Sequence, residues 1–421
     1  MKIAFVVYRD SLGAVFGSLY AKPVELLRAR GYDAGIVCFE AFGHLLRRKQ
    51  RDLWQKRELE FGDSVDGQMS RLPIFPSRLA SHISDTLPVA FWLAVNRSLA
   101  GPAILHCGGS LAAYHALRAG ELLNKKRLRV VFHSWGPAAD EYAYHVAGSE
   151  NAALGDREAR RYSGLLHREE YAYRRADAIV CLSSHMRDYA IERLGVPEER
   201  LVQIPCYVDH AKFARSEAER NAQRDQMGLS SRKVVVFSGA LHRWQKPEAI
   251  FEIFRHIKSR DARAFLLVLT NHTDRALALA EQYRIAADDI SIRSVPFDEV
   301  ADYLAAADLG LLTRGLCEAP SRVNLFSSPI KVPEYLSAGC PVVIGESIGD
   351  LSGFVDRTKV GIVARASDGF TDIAERACSL FTASPEETLA LRRRCTSASS
   401  VNFDIVRHID TYEAIYRRAV V

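Results

Sequence analysis

A chain of 421 residues, 48% hydrophobic and 25% charged, has ordinary globular make-up and length enough for two domains. Its net charge of +5 admits acidic ligands or an anionic membrane surface. With no aromatic-interleaved basic stripe beyond Trp54, it gives no ground for a nucleic-acid partner. Eight scattered cysteines, with no C-x-x-C pair and no His/Cys cluster, argue against a disulfide framework and fit reduced core residues of a cytoplasmic protein.

The chain opens on an apolar run, Ile3 to Val7, too short for a signal peptide and right for a first strand. A loop bearing Gly13 and Gly17, a helical pattern from Leu19 to Arg30 closed by Gly31, and a strand from Ala34 to Phe39 make a βαβ unit. The two glycines could admit a ligand close to the backbone or simply make a turn. No G-x-G-x-x-G spacing is present. Residues 44–57 are dense in Arg and Lys, interleaved with Leu45, Leu46, Leu53 and Trp54. Such a segment can lie on anionic lipid headgroups or form a solvated helix with one buried side. The longest other apolar run, Val89 to Val95, is far short of a membrane span.

Ala103 to His106 is a strand running into Cys107-Gly108-Gly109-Ser110, and Arg129 to His133 is the next. Two successive strands thus end in histidine, His106 and His133. In open α/β sheets ligands bind outside the carboxyl ends of strands. A helix from Arg157 to Arg175, a strand through Ala176 to Ser183 and a helix capped by Ser183 or Ser184 follow. The polar stretch 214–232 is a composition shift that sets the domain boundary, giving domains at 1–214 and 215–404 and a closing helix over 405–421.

The second alternation begins with Lys233 to Phe237 and the turn Ser238-Gly239-Ala240. Arg243 and Lys246 then lie in a cationic loop ahead of a helix starting at Pro247. Ala264 to Leu269, Ile290 to Val295, Leu309 to Leu312, Val342 to Ile344 and Gly361 to Val363 supply further strands. Parallel β/α order in both halves predicts an α/β protein of two doubly wound domains facing across a cleft. Between the last strands, Ser328 reads as an N-cap before Pro329, and the helix runs to Ser337 with Gly339 as its stop. A helix N-terminus is a seat for an anion such as phosphate, and Lys331 adds a full charge. Glu334, three residues on, can accept two hydrogen bonds from a vicinal diol such as ribose. Phosphate and ribose together spell a nucleotide; a weak surface Lys–Glu pair is the plainer alternative.

These pieces resemble glycosyltransferase family 4, of the GT-B fold: two Rossmann-like domains across a cleft. The matching runs are A-D-A-I-V-C-L-S-S-H-M (176–186), I-P-C-Y-V-D-H-A-K-F (204–213), Ser238-Gly239 with Lys246, A-A-A-D-L-G-L-L (305–312) and S-P-I-K-V-P-E-Y-L-S-A-G-C-P-V-V (328–343). The resemblance implies a retaining, metal-independent glycosyltransferase that moves a hexose-type sugar from a nucleotide sugar to a glycan or lipid-linked acceptor. It needs no cofactor beyond that co-substrate. Family habit places such chains in bacterial surface polysaccharide synthesis at the inner face of the cytoplasmic membrane. Glu334 matches the ribose-binding glutamate and Lys246 the lysine reaching the diphosphate, with Arg243 a less close match. His133 falls near the first-domain active-site residue, and Gly239, Ser328 and Lys331 complete the phosphate seat. Val295 and Pro296 end a strand where the base could stack, and Gly13, Gly17, His106 and Gly108 would line the first domain's side. One departure is Phe326, where many members carry a second glutamate. The absence of any D-x-D triplet removes the simplest carboxylate seat for Mg²⁺. A nucleotide-sugar 2-epimerase of the same architecture, or a non-catalytic nucleotide-sugar-binding protein, are the competing expectations.

Overall fold

The computed structural model describes residues 1–8, 16–42, 46–61, 69–74, 81–95, 103–148 and 153–420. The chain divides into two compact units, one of residues 1–146, 153–205 and 405–421, the other of residues 147–152 and 206–404. The expected boundary at 214/215 is therefore corrected to Pro205/Cys206. Val208 and Phe213, which follow it, are fully buried in the second unit's core.

In the first unit the strands are β1 (Lys2–Tyr8), β2 (Asp33–Ala41), β3 (Met69–Ile74), β4 (Ala103–Gly108), β5 (Leu128–Ser134), β6 (Ala178–Cys181) and β7 (Leu201–Gln203). They form one parallel sheet in the order β3-β2-β1-β4-β5-β6-β7. In the second, β8 (Lys233–Ser238), β9 (Ala264–Leu269), β10 (Ile290–Arg293), β11 (Leu309–Leu311), β12 (Val342–Gly345) and β13 (Gly361–Ala364) form a parallel sheet ordered β10-β9-β8-β11-β12-β13. Helices bury both faces, which is why runs such as Val234 to Phe237 are apolar without alternation. The strand order reverses between β1 and β4 and between β8 and β11. These are the topological switch points at which open α/β sheets hold ligands.

The polar stretch that set the expected boundary holds a docked helix, Glu217–Gln226, opened by a Ser216–Glu219 capping box. Its Arg220 and Arg224, one turn apart, are buried and converge on Asp308: Arg220 Nη2 lies 2.6 Å from Oδ1 and Arg224 Nη1 3.1 Å from Oδ2. Asp308 Oδ2 also accepts the Val234 N–H at 2.8 Å, tying the helix to the start of β8. Other guanidinium N–H groups go to the main-chain carbonyls of Ala306, Ala307, Leu229 and Arg232, and Arg220 Nε lies 4.0 Å from Glu217 Oε2. Charge density misled because buried arginines are rare unless fully paired, as these are.

Gly17 is not a loop residue. It starts a widened turn, Gly17–Ala21, in which the Lys22 N–H bonds Gly17 O, and the helix Lys22–Ala29 continues from it. Gly13 lies outside the described residues. Of the basic segment, residues 44–45 also lie outside them. The helix Arg48–Phe61 buries Trp54, with the Arg71 guanidinium 4.9 Å over its ring, while Leu46 and Leu59 are exposed. Among the described residues no helix is long and apolar enough to cross a membrane. The helix Ile405–Val420 belongs to the first unit. Arg30 pairs with its Asp410 and Glu413, and Arg129 donates to Ala419 O at 2.8 Å.

Candidate functional site

At the β8/β11 switch point the chain turns through Ser238 and Gly239. Gly239 has φ +135°, a conformation that favours glycine, and its N–H bonds Leu269 O at 2.8 Å. The helix Lys331–Ser337 is locked onto this turn by Tyr335. Its ring lies so close to Gly310 of β11 that a Cβ there would come within 2.7 Å of it. Its hydroxyl oxygen accepts the Ser238 N–H at 2.9 Å and reaches Leu311 O at 3.4 Å. Gly339, φ +74°, ends the helix as expected.

The start of that helix differs from expectation. Lys331 is its first residue, Ile330 precedes it, and no side chain caps it. The Ser328 hydroxyl instead accepts the Cys206 N–H at 3.0 Å, so it fastens the start of the second unit rather than the helix end. Pro329 is displaced from the first helical turn, and its carbonyl takes the Val332 N–H.

Lys331 lies along Gly239: a Cβ at that glycine would sit 2.8 Å from Nζ. Its ammonium also lies 5.5 Å from the Phe237 ring centroid. Glu334, one turn on, is buried. Burial pushes its carboxyl up to about 7 against the pull of Lys331, and pushes the Lys331 ammonium down to about 8, with Arg314 adding to the fall. A half-buried lysine and a buried glutamate at a strand-switch crevice, each held poorly in its charged form, are arranged to meet a polar, anionic ligand. Gly239→Ala is expected to force the lysine stem aside and destabilise the unit by about 1–3 kcal/mol, measured as a lowered urea midpoint.

Arg314 escaped sequence reading. It lies three residues beyond β11, stacks 4.8 Å over the Trp244 ring, and donates to Asn324 Oδ1 (3.2 Å) and Val323 O (2.8 Å) while buried. The available signal was its place at a carboxyl strand end, the same signal that singled out the histidines. Lys246 has φ +48° at the head of the helix Pro247–Lys258. Its Nζ donates to Leu316 O at 2.8 Å and pairs with Glu318 Oε1 at 2.6 Å. Arg243 is exposed and lies against Gly148, where a Cβ would come within 2.9 Å of its guanidinium carbon. Val295 is half-buried on the core and Pro296 exposed. Both follow the edge strand β10, two strands from β8 and so about 10 Å along the sheet. Phe326 is buried with the Arg322 guanidinium 5.3 Å over its ring.

In the first unit, His106 and His133 face each other across β4 and β5. His106 Nε2 lies 3.3 Å from His133 Nδ1, and Phe5 stacks on His106 at 4.4 Å. The last helix adds Tyr416, 2.8 Å from His106 Nδ1, and Tyr412, 3.3 Å from His133 Nδ1. Both imidazoles are buried, which holds them neutral; His133 is pushed down to about 3 and His106 well below its ordinary value. Gly108 lets Trp135 close over the end of β4, since a Cβ would lie 2.8 Å from its ring. The tyrosines, far away in sequence, carried no signal.

Residues 24–212 match the sequence profile of Glycosyltransferase Family 4, and residues 232–383 that of Glycosyl transferases group 1. No curated protein matches the chain. Among solved structures it is similar to Anabaena Alr3699/HepE in complex with UDP-glucose, at TM-score 0.68 and 14% identity over 98% of this chain and 99% of that one. The α,α-trehalose 6-phosphate synthase of Burkholderia multivorans gives TM-score 0.66 and 14% identity over 99% and 98%. WaaG, a glycosyltransferase involved in lipopolysaccharide biosynthesis, gives 0.60 and 15% over 94% and 95%. With both profiles in this order on two doubly wound parallel sheets, the chain belongs to the family 4 type of GT-B glycosyltransferases.

Proposed function

We propose that the protein transfers a hexose-type sugar, with retention of configuration, from a nucleotide sugar to a glycan or lipid-linked acceptor in bacterial surface polysaccharide synthesis. The observation that carries this reading is the pair of half-buried Lys331 and buried Glu334 against Gly239 at the β8/β11 switch point. Lys331 meets the diphosphate beside a backbone kept bare by glycine, and Glu334 accepts the ribose hydroxyls. Arg243 and Lys246 stabilise the leaving diphosphate as the sugar–phosphate bond breaks, Lys246 exchanging its Glu318 partner for phosphate. Val295 and Pro296 stack the base, Ser328 holds the turn before Lys331, and His133 contacts the sugar. The chemistry needs no metal in this reading, since the cations of the chain carry the leaving-group charge.

The neighbour solved with UDP-glucose and the one named for lipopolysaccharide biosynthesis support the donor class and the pathway class in turn. The helix Arg48–Phe61, with Arg47, Arg48, Arg51 and Lys56 exposed and Leu46 and Leu59 beside them, would rest on anionic lipid at the inner face of the cytoplasmic membrane. Calorimetric titration with UDP, GDP, CDP and ADP tests the core of the reading. One nucleotide is expected to bind at micromolar affinity and to lose at least tenfold in Glu334→Ala. Binding by none of the four would overturn the donor assignment. Product analysis of a sugar donor without acceptor separates transfer from 2-epimerisation.

A further inference from the structure

The buried His106–His133 pair carries more than a place in the core. Each neutral imidazole has one N–H, so the 3.3 Å contact between His106 Nε2 and His133 Nδ1 holds a single proton, which belongs to one ring or the other. If it belongs to His106, then His106 Nδ1 is a bare acceptor, and the Tyr416 hydroxyl at 2.8 Å donates to it. His133 Nδ1 is then an acceptor too, and the Tyr412 hydroxyl at 3.3 Å also donates there. If the proton belongs to His133, one N–H must be shared between His106 and Tyr412, and both phenol oxygens must act as acceptors, their weaker role. The first arrangement uses both phenols as donors to imidazole nitrogen, with the single lone pair of His133 Nδ1 shared between the His106 N–H and the Tyr412 hydroxyl. It leaves one group over: an N–H on His133 Nε2, buried and without a partner among the described residues.

We infer that Tyr416 and Tyr412 of the last helix fix His133 in the Nε2–H form, so that it serves the reaction as a neutral hydrogen-bond donor to a substrate oxygen. The proposal rests on the reading above that His133 faces the sugar. It makes the two tyrosines positioning residues, acting through His106 and His133 from a helix more than two hundred residues further along the chain. The other ring packed on His133 is Trp135, edge-on at 5.9 Å between centroids. Its Nε1–H also lacks a partner among the described residues, so two buried donors point to one oxygen-rich ligand. A buried donor left unmatched is costly in the empty protein and is recovered when an acceptor arrives.

Long-range ¹H–¹⁵N correlation spectra of histidine-labelled protein read the tautomer directly, with His133 assigned by its loss in His133→Gln. The wild-type spectrum is expected to show His133 protonated at Nε2 and bare at Nδ1. In Tyr416→Phe the preference is expected to weaken, with kcat/KM for transfer falling about tenfold. The affinity for the nucleotide alone, which has no sugar, is expected to stay unchanged. His133→Gln, whose amide can donate from the same place, is expected to retain more activity than His133→Ala. A wild-type His133 protonated at Nδ1, or a Tyr416→Phe variant with tautomer and kcat/KM both unaltered, would overturn the inference. The wild-type spectrum decides the point even if Tyr416→Phe does not fold. Loss of nucleotide binding would instead count against the donor site and leave the tautomer result standing.

Discussion

Asp308→Ala is expected to cost the second unit about 3–5 kcal/mol, because it strands two guanidiniums inside the protein. Asp308 is the single carboxylate between Arg220 and Arg224 and also holds the Val234 N–H at the start of β8. Burial pushes its carboxyl up, but the two arginines and that N–H outweigh burial and hold it below its ordinary value. Arg220 is pushed the other way, down to about 10, since burial, with Arg392 and Arg224 beside it, outweighs the pull of Asp308 and Glu217. The cluster is therefore short of negative charge, and its carboxylate is the member it can least lose. The sign of the pH effect follows from the depressed carboxyl. Its stabilisation is complete above the unfolded value of about 3.9 and is lost as pH falls through the lower folded value. Chemical denaturation of Asp308→Ala is expected to show the full loss at neutral pH and a shallower acid dependence than the wild type. Asp308→Asn, which keeps an acceptor for Val234, is expected to fall between the two. A wild-type midpoint in Asp308→Ala would show that the helix Glu217–Gln226 is held by something other than this cluster.

The opposite outcome is expected at the ligand site. Lys331→Met with Glu334→Gln is expected to raise the stability of the empty protein by about 1–3 kcal/mol while abolishing nucleotide binding. Glu334 has its carboxyl raised to about 7, so stability is lost as pH rises from the unfolded value toward 7. Lys331 has its ammonium lowered to about 8, so stability is lost as pH falls from its unfolded value toward 8. Between those values both costs are in force, and the fold carries a charged pair it would be more stable without. Binding needs that charged form: a carboxylate for hydroxyls, an ammonium for phosphate. Nucleotide affinity is thus expected to peak between about pH 7 and about pH 8 and to decline on both sides, the acid limb vanishing in Glu334→Gln. Calorimetry across that range checks it. A flat profile in the wild type would remove Lys331 and Glu334 from the contact.

How much of this the sequence disclosed depends on how far each partner lies along the chain. The strands were legible because runs such as Val234 to Phe237 are apolar on both faces, the mark of a parallel sheet covered by helices. The Lys331–Glu334 spacing was legible because three residues is one helical turn. That Ser328 would bond Cys206 rather than cap the helix was not, since the partner sits 122 residues away. Arg220 and Arg224 read only as part of a polar domain boundary because their carboxylate, Asp308, lies 88 and 84 positions on. His106 and His133 were visible as strand ends, whereas Tyr416, 310 residues beyond His106, gave no local sign of the contact.

The helix Ile405–Val420 belongs to the first unit although the whole of residues 206–404 intervenes. On the ribosome, β1 to β7 emerge long before the segment that completes their packing, while the second unit, residues 147–152 apart, is made in one run. The second unit can therefore finish folding first. Meanwhile the nascent first unit keeps bare the apolar surface that later receives Ile409, Tyr412, Ile415 and Tyr416. During that interval synthesis speed and chaperone capture, rather than final stability, govern the yield of native protein.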